Sequence, residues 1–258
     1  MSLLSFFGLG GEARPLRIRE QLSPNHDARP PDTPIDTLVL HYTGMPTGTA
    51  ALNRLCDASA KVSAHYLVEE DGRVFRLVPE ERRAWHAGIA YWRGHRDINA
   101  RSIGIEIVNP GHEFGYRAFP VKQMAAVREL ARGIMERHPI PARNVVAHSD
   151  VAPERKEDPG ELFDWRYLAS KGVGVWPKPN ATTRVREIAV GERDPAVADA
   201  QTKLVKWGYE VPTHGLLEAK TERVLIAFQR RYRPSRFDGR LDAETVALLD
   251  ALLRQIDA

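Results

Sequence analysis

The segment DTLVLHYT, residues 36–43, limits the possible folds more than any other stretch, because Leu38, Val39 and Leu40 leave neither side of a strand polar. Such a strand must be covered on both faces, which argues for a layered α/β arrangement. Its neighbours can be read from the same chain. SAHYLVEEDGRVFRLV reads as two alternating strands around Asp71-Gly72, residue types that tolerate a tight turn. In SIGIEIV, Ile103, Ile105 and Ile107 share one face, while Ser102, Gly104, Glu106 and Val108 share the other. Apolar residues at Val121, Met124, Val127, Leu130, Ile134 and Met135 fit an amphipathic helix running to His138 and stopped by Pro139. NVVAH is a last short strand. Together these predict an α/β fold with a mixed central β-sheet flanked by helices.

After about residue 171 the texture changes. KGVGVWPKPNATTR has glycines and prolines and no period, the signature of a linker. Beyond it lie three helical patterns. The first is opened by Asp194-Pro195, an N-cap followed by proline at the first helical position. The second carries Val224, Leu225 and Phe228 and ends near Tyr232; the third runs from Asp242 through Val246, Leu248, Leu249 and Leu252. The expected division is a main domain over residues 1–172 (with an irregular segment over 1–34), a linker over 173–190, and a small all-α three-helix domain over 191–258.

With 37 basic and 34 acidic residues among 258, the net charge of +3 is too balanced to argue for a nucleic-acid partner. The single cysteine, Cys56, excludes an intramolecular disulfide and reads as a small apolar side chain beside Leu52 and Leu55. No run approaches the roughly 18 apolar residues of a membrane helix. The N-terminal MSLLSFFGLGG is apolar, but no lysine or arginine precedes Arg14 and no cysteine follows to carry a lipid. A cytoplasmic protein is the expectation, with the periplasm or cell envelope as the alternative.

Of nine histidines, His26, His95, His112, His138 and His214 sit in polar or turn-like surroundings and read as surface residues. His41 and His148 differ: each ends an apolar strand, in LVLHYT and VVAHSD, where side chains project into the crevice at the carboxyl edge of a sheet. Each is either a hydrogen-bonded structural histidine or half of a shared site. Asp158, on the Asp-Pro-Gly turn of ERKEDPG, is the third candidate. Two imidazoles and a carboxylate make a hydrolytic zinc set with a fourth position open to water, whose pKa zinc lowers to about 7. Glu106, in an otherwise apolar or small strand, is either a proton-handling carboxylate supported by a cation or a strand glutamate facing solvent. Lys156 either steadies a developing oxyanion or is an ordinary solvated lysine.

The motifs LVLHYT, SAHYLVEEDG, RRAWHAGIAYWRG, SIGIEIVNPG, VVAHSDVAPERKEDPG and FDW follow one another over roughly residues 30–170. In that order they resemble the AmpD/AmiD-type zinc N-acetylmuramoyl-L-alanine amidases, which share their fold with peptidoglycan recognition proteins. The resemblance implies that His41, His148 and Asp158 hold one Zn2+ per chain, that Glu106 is the catalytic carboxylate, and that Lys156 stabilises the oxyanion. The implied reaction is hydrolysis of the amide between N-acetylmuramic acid, or its 1,6-anhydro form, and L-alanine, in peptidoglycan or its muropeptide fragments, for turnover or recycling. Trp85, His86 and Asn109 look like the substrate-contacting rim, and His65 like structural support. Peptidoglycan or a muropeptide is the expected partner, with no obligate protein partner.

The last segments, AVADAQTKLVKWGYEV, TERVLIAFQRRY and FDGRLDAETVALL, resemble the three-helix peptidoglycan-binding module of wall hydrolases. PTHGLLEAKT replaces its usual aspartate-glycine turn, so this domain either binds glycan or packs against the catalytic part. Two other functions compete: a zinc-free binder, opposed by the complete ligand set, and a stem-peptide zinc peptidase, whose short histidine–aspartate signature is not found around these ligands.

Overall fold

The computed structural model describes residues 16–179 and 184–256. The apolar MSLLSFFGLGG stretch and part of the expected linker lie outside them. The described strands are β1 (Ile18–Glu20), β2 (His26–Ala28), β3 (Thr37–Tyr42), β4 (Tyr66–Val68), β5 (Val74–Arg76), β6 (Arg82–Ala84), β7 (Ser102–Ile107) and β8 (Val145–Ala147). Six of them form a mixed sheet in the order β1-β5-β4-β7-β3-β8, and β2 pairs with β6 in a separate ribbon. β3 runs parallel to both β7 and β8, as β4 does to β7, while β4 and β5 form the antiparallel hairpin expected around Asp71-Gly72.

The parity of the strands decides which face does what. Leu38, Leu40, Ile103, Ile105, Ile107, Val145 and Ala147 point to one side, where they pack against Met124, Val127, Leu130 and Ile134 of helix α4 (Val121–Arg137). Helices α1 (Gly48–Cys56), α2 (Ile98–Arg101) and α3 (Gly111–Phe114) precede α4 in the chain. Ala51 and Leu55 of α1 cover Leu67 on the opposite face. Val121, expected in the apolar stripe of α4, is the first residue of the helix and is 86 % exposed. Cys56 is half-buried, with its thiol against the Gln21 carbonyl.

After β8 come α5 (His148–Val151), α6 (Trp165–Ser170), α7 (Pro195–Trp207), α8 (Ala219–Tyr232) and α9 (Ala243–Ile256). Asp194 caps α7 by accepting from the Ala196 N–H at 2.9 Å, and Asp242 does the same for Thr245 ahead of α9 at 2.9 Å. These last three helices do not form an isolated bundle. Their core residues Leu204, Trp207, Tyr209, Val224 and Phe228 are continuous with Val39, Val146, Trp92 and Ile98 of the first part of the chain. The helical unit therefore closes part of the sheet face that carries Val39 and, two residues on, His41. No helix among the described residues is long and apolar enough to cross a membrane.

Candidate metal centre and active site

Strand register brings the site together. His41 is the partner of Glu106 across β3 and β7, and Leu67 on β4 is the partner of Glu106 on its other side. Residues in register share a face, so His41 and Glu106 both emerge on the side away from α4. His148 follows β8 directly, at the start of α5, and Asp158 lies on the turn after it, tied back by a 3.0 Å bond from the Ser149 N–H to the Asp158 carbonyl. His41, His148 and Asp158 are all buried, at 1 %, 4 % and 5 % exposure.

Their ligand atoms converge. His41 Nδ1 lies 2.9 Å from His148 Nδ1, and each lies 3.1 Å from Asp158 Oδ2. The surrounding hydrogen bonds determine which of these atoms carry protons. Ser102 Oγ has one hydrogen, and it goes to the Ile98 carbonyl at 2.6 Å. Ser102 Oγ must therefore accept from His86 Nε2, 3.1 Å away. His86 Nδ1 is then bare and accepts the Nε2–H of His41 at 3.1 Å. His148 donates its own Nε2–H to the Ala87 carbonyl at 3.2 Å. Both Nδ1 atoms are left as lone pairs facing a carboxylate.

Electrostatics agree with that assignment. Burial, reinforced by the neighbouring His148, lowers His41 to about 4, so its imidazole is neutral at physiological pH. Three converging acceptors without a shared proton repel one another unless a cation sits among them. The donor set suits a divalent ion with nitrogen and oxygen ligands, and the arrangement leaves room for a further ligand from the cleft.

Glu106 stands beside this cluster. Its Oε2 is shielded and has no hydrogen-bond partner among the described residues. Burial, with Asp158 adding to it and Lys156 opposing it, pushes this carboxyl well above its usual range. The cleft in front measures about 380 Å3 and is lined by His41, Glu106, His148, Lys156, Asp158 and the half-exposed Trp85, among others. Lys156 and Trp85 thus line the same cleft as His41, His148 and Asp158.

The other two expected rim residues are buried. His86 lines the cleft but is buried, and both its ring nitrogens are engaged by the His41 and Ser102 bonds. Asn109 is fully buried: its amide donates to the Arg117 carbonyl at 2.7 Å and accepts from the Gly111 N–H at 3.1 Å, so it shapes the following loop and does not line the cleft. His65 is also buried, with Nδ1 accepting from the Gly104 N–H at 3.0 Å, a structural link between β4 and β7.

Sequence reading missed other contributors. Asn99 accepts from the His86 and Ala87 N–H groups at 3.0 and 2.8 Å, holding the carbonyl that orients His148. His112, expected to be an ordinary surface histidine, lines the cleft mouth and stacks on Tyr116 with ring centroids 4.2 Å apart. Neither has a local sequence signal. Gly104 did offer one: a Cβ there would meet the His86 ring at 2.5 Å, so a glycine in the middle of an apolar strand marks a close approach.

A mixed sheet with two histidines and an aspartate gathered at its carboxyl edge, beside an unpaired glutamate, defines a metal-dependent hydrolase. The N-acetylmuramoyl-L-alanine amidase family model matches residues 31–161, and a peptidoglycan binding domain model matches residues 193–249. The chain is 38% identical to N-acetylmuramoyl-L-alanine amidase AmiD of Escherichia coli over 91% of its length and 88% of the relative's. It is 36% identical to the 1,6-anhydro-N-acetylmuramyl-L-alanine amidase AmpD of the same organism, over 58% of this chain and 90% of that one. The structure of E. coli AmiD in complex with the substrate anhydro-N-acetylmuramic acid-L-Ala-D-gamma-Glu-L-Lys superposes with a TM-score of 0.74 at 37% identity, covering 87% of this chain and 91% of that one. AmpDh3 from Pseudomonas aeruginosa gives 0.73 at 31% identity, covering 92% and 99%. The chain belongs to the N-acetylmuramoyl-L-alanine amidase family.

Proposed function

We propose that this protein hydrolyses the amide bond between the lactyl carboxyl of N-acetylmuramic acid, or of its 1,6-anhydro form, and the L-alanine of the stem peptide, with zinc as the ion held by His41, His148 and Asp158. The observation that carries this reading is the meeting of three proton-free acceptor atoms at 2.9–3.1 Å beside the partnerless Glu106 Oε2. A zinc ion held there would supply Lewis acidity toward an amide carbonyl and make an attacking water available at neutral pH. Glu106 accepts the proton of that water and passes it to the alanine nitrogen as the amine departs; its raised pKa favours holding the proton between the two steps. Lys156 places a cationic donor in the cleft, where it offsets charge developing on the carbonyl oxygen. Trp85 offers a flat face to the sugar or its lactyl arm. His86 and Asn109 take positioning roles, because their polar atoms are already engaged within the protein.

The substrate class is supported by the ligand in the AmiD complex and by the names of the AmpD relatives. Incubating the full chain with muramyl tripeptide in anhydro and reducing forms, followed by mass spectrometry, tests the proposal. Release of an intact peptide beginning with L-alanine is expected. A cut between two amino acids contradicts it.

A further inference from the structure

The segment from His148 to Asp158 carries two of the three proposed metal ligands together with Lys156, and helix α8 of the C-terminal unit grips both of its ends. Arg231, 3 % exposed, reaches out of α8 to the stretch around His148. One guanidinium nitrogen donates to Asp150 Oδ2 and the other to the Val145 carbonyl at 2.9 Å, while the fork lies 4.0 Å from the centre of the Trp165 ring. The phenol of Tyr209, just beyond α7, donates to Asp150 Oδ1. Asp150 Oδ2 also accepts the Ala147 N–H at 2.8 Å, closing the turn that presents His148. At the other end, the adjacent Arg230 lies 3.7 Å from Glu157 and 3.6 Å from Glu161, on either side of Asp158.

We infer that the C-terminal helical unit is a positioning element of the metal site in this chain, with Arg231 and Tyr209 holding Asp150, and through it His148, in the geometry that binds the ion. The inference rests on the metal-site reading above and extends it to residues 209–231. Three features separate it from simple docking. A buried ion pair is a costly way to join two surfaces that already share an apolar core, so its contribution lies in direction. The bonded groups, Val145 O, Ala147 N and the Asp150 carboxylate, flank His148 within three residues on either side. The fork-shaped, doubly bonded contact fixes orientation as well as distance, which is what a ligand residue requires of its support.

The test uses the full chain with Co2+ as the probe ion. Affinity is read by competition with a chelator, geometry by the visible absorption of the cobalt form, and turnover by separate kcat and KM on a muramyl tripeptide. Arg231→Met and Tyr209→Phe are compared with Arg231→Lys as the conservative replacement. The expected result is a loss of metal affinity on the order of tenfold in Arg231→Met, with an altered cobalt spectrum and a fall in kcat larger than any change in KM. Tyr209→Phe should show a smaller change of the same kind, and Arg231→Lys a partial recovery. If Arg231→Met does not fold, Tyr209→Phe and Arg230→Gln decide the matter on the same readouts. Folded variants with wild-type cobalt affinity, spectrum and kcat, differing only in melting temperature, overturn the inference while leaving the metal site intact. A wild-type chain that takes up no stoichiometric cobalt overturns both.

Discussion

His41 and Glu106 are register partners across the parallel strands β3 and β7, on the face of the sheet that α4 does not cover. That single pairing sets the backbone of Glu106, the proposed proton acceptor, one strand spacing, about 4.8 Å, from that of His41, a proposed metal ligand. A site built on two central strands is held by the ladder itself.

Glu106→Gln keeps the shape of the side chain and removes its ability to take a proton. The variant should bind metal as the wild type does and lose about 10²–10⁴ in kcat. Metal analysis beside steady-state kinetics checks this, and retained turnover reassigns the proton acceptor.

The Ile98–Ser102–His86–His41 chain fixes which nitrogen of His41 faces His148 and Asp158, where the proposed ion would sit. His86→Ala should therefore weaken metal binding about 10- to 100-fold although His86 is no ligand. Gly104→Ala should act in the same direction, because its new Cβ would meet the His86 ring at 2.5 Å. Chelator competition measures both; affinity unchanged in both variants refutes the orienting role.

Removing the metal should cost stability as well as activity, since three acceptors then face one another in a buried site. An ion present at 100 times its dissociation constant stabilises the fold by about 2.7 kcal/mol. Thermal unfolding with and without chelator, followed by zinc re-addition, reads this directly: melting temperature and activity should fall and return together.

How far such a site can be read from sequence depends on how local its causes are. The apolar runs ending in His41 and His148, the alternation in β7 and the proline stop after α4 are local patterns, and the strands and helix they predict are present. The Asp194-Pro195 and Asp242 starts of the last helices are equally local. The substrate rim was not local. Asn109 sits next to the glutamate strand, but whether its amide turns to the cleft or to Arg117 depends on the fold of the loop after it. His86 faces His41 only because Gly104, eighteen positions away, leaves room for its ring. The contact between Arg231 and Asp150 spans 81 residues and carries no periodic signal at all.

Acid should weaken the fold through Glu80. Burial by itself would raise this carboxyl, but hydrogen bonds from Arg137, Tyr66 and His138 outweigh it and bring the pKa down to about 2 from 4.5. Glu80 therefore binds its proton less readily in the folded chain than in the unfolded one. Its contribution is complete above the unfolded carboxyl range and drains away as pH falls from about 5 toward 2, amounting to about 2–3 kcal/mol at neutral pH. Denaturant unfolding of wild type and Glu80→Gln between pH 7 and 3 should show two curves that converge on acidification; parallel curves contradict the linkage.

The most direct measurement is hydrolysis of an anhydromuramyl tripeptide in heavy-oxygen water, with both products weighed by mass spectrometry. Attack of water at the lactyl carbonyl places one heavy oxygen in the muramic acid carboxylate and none in the released L-alanyl peptide, and Glu106→Gln should suppress that labelling. Label in the peptide product, or a fragment cut between amino acids, would show that the proposed metal centre of His41, His148 and Asp158 serves a different bond.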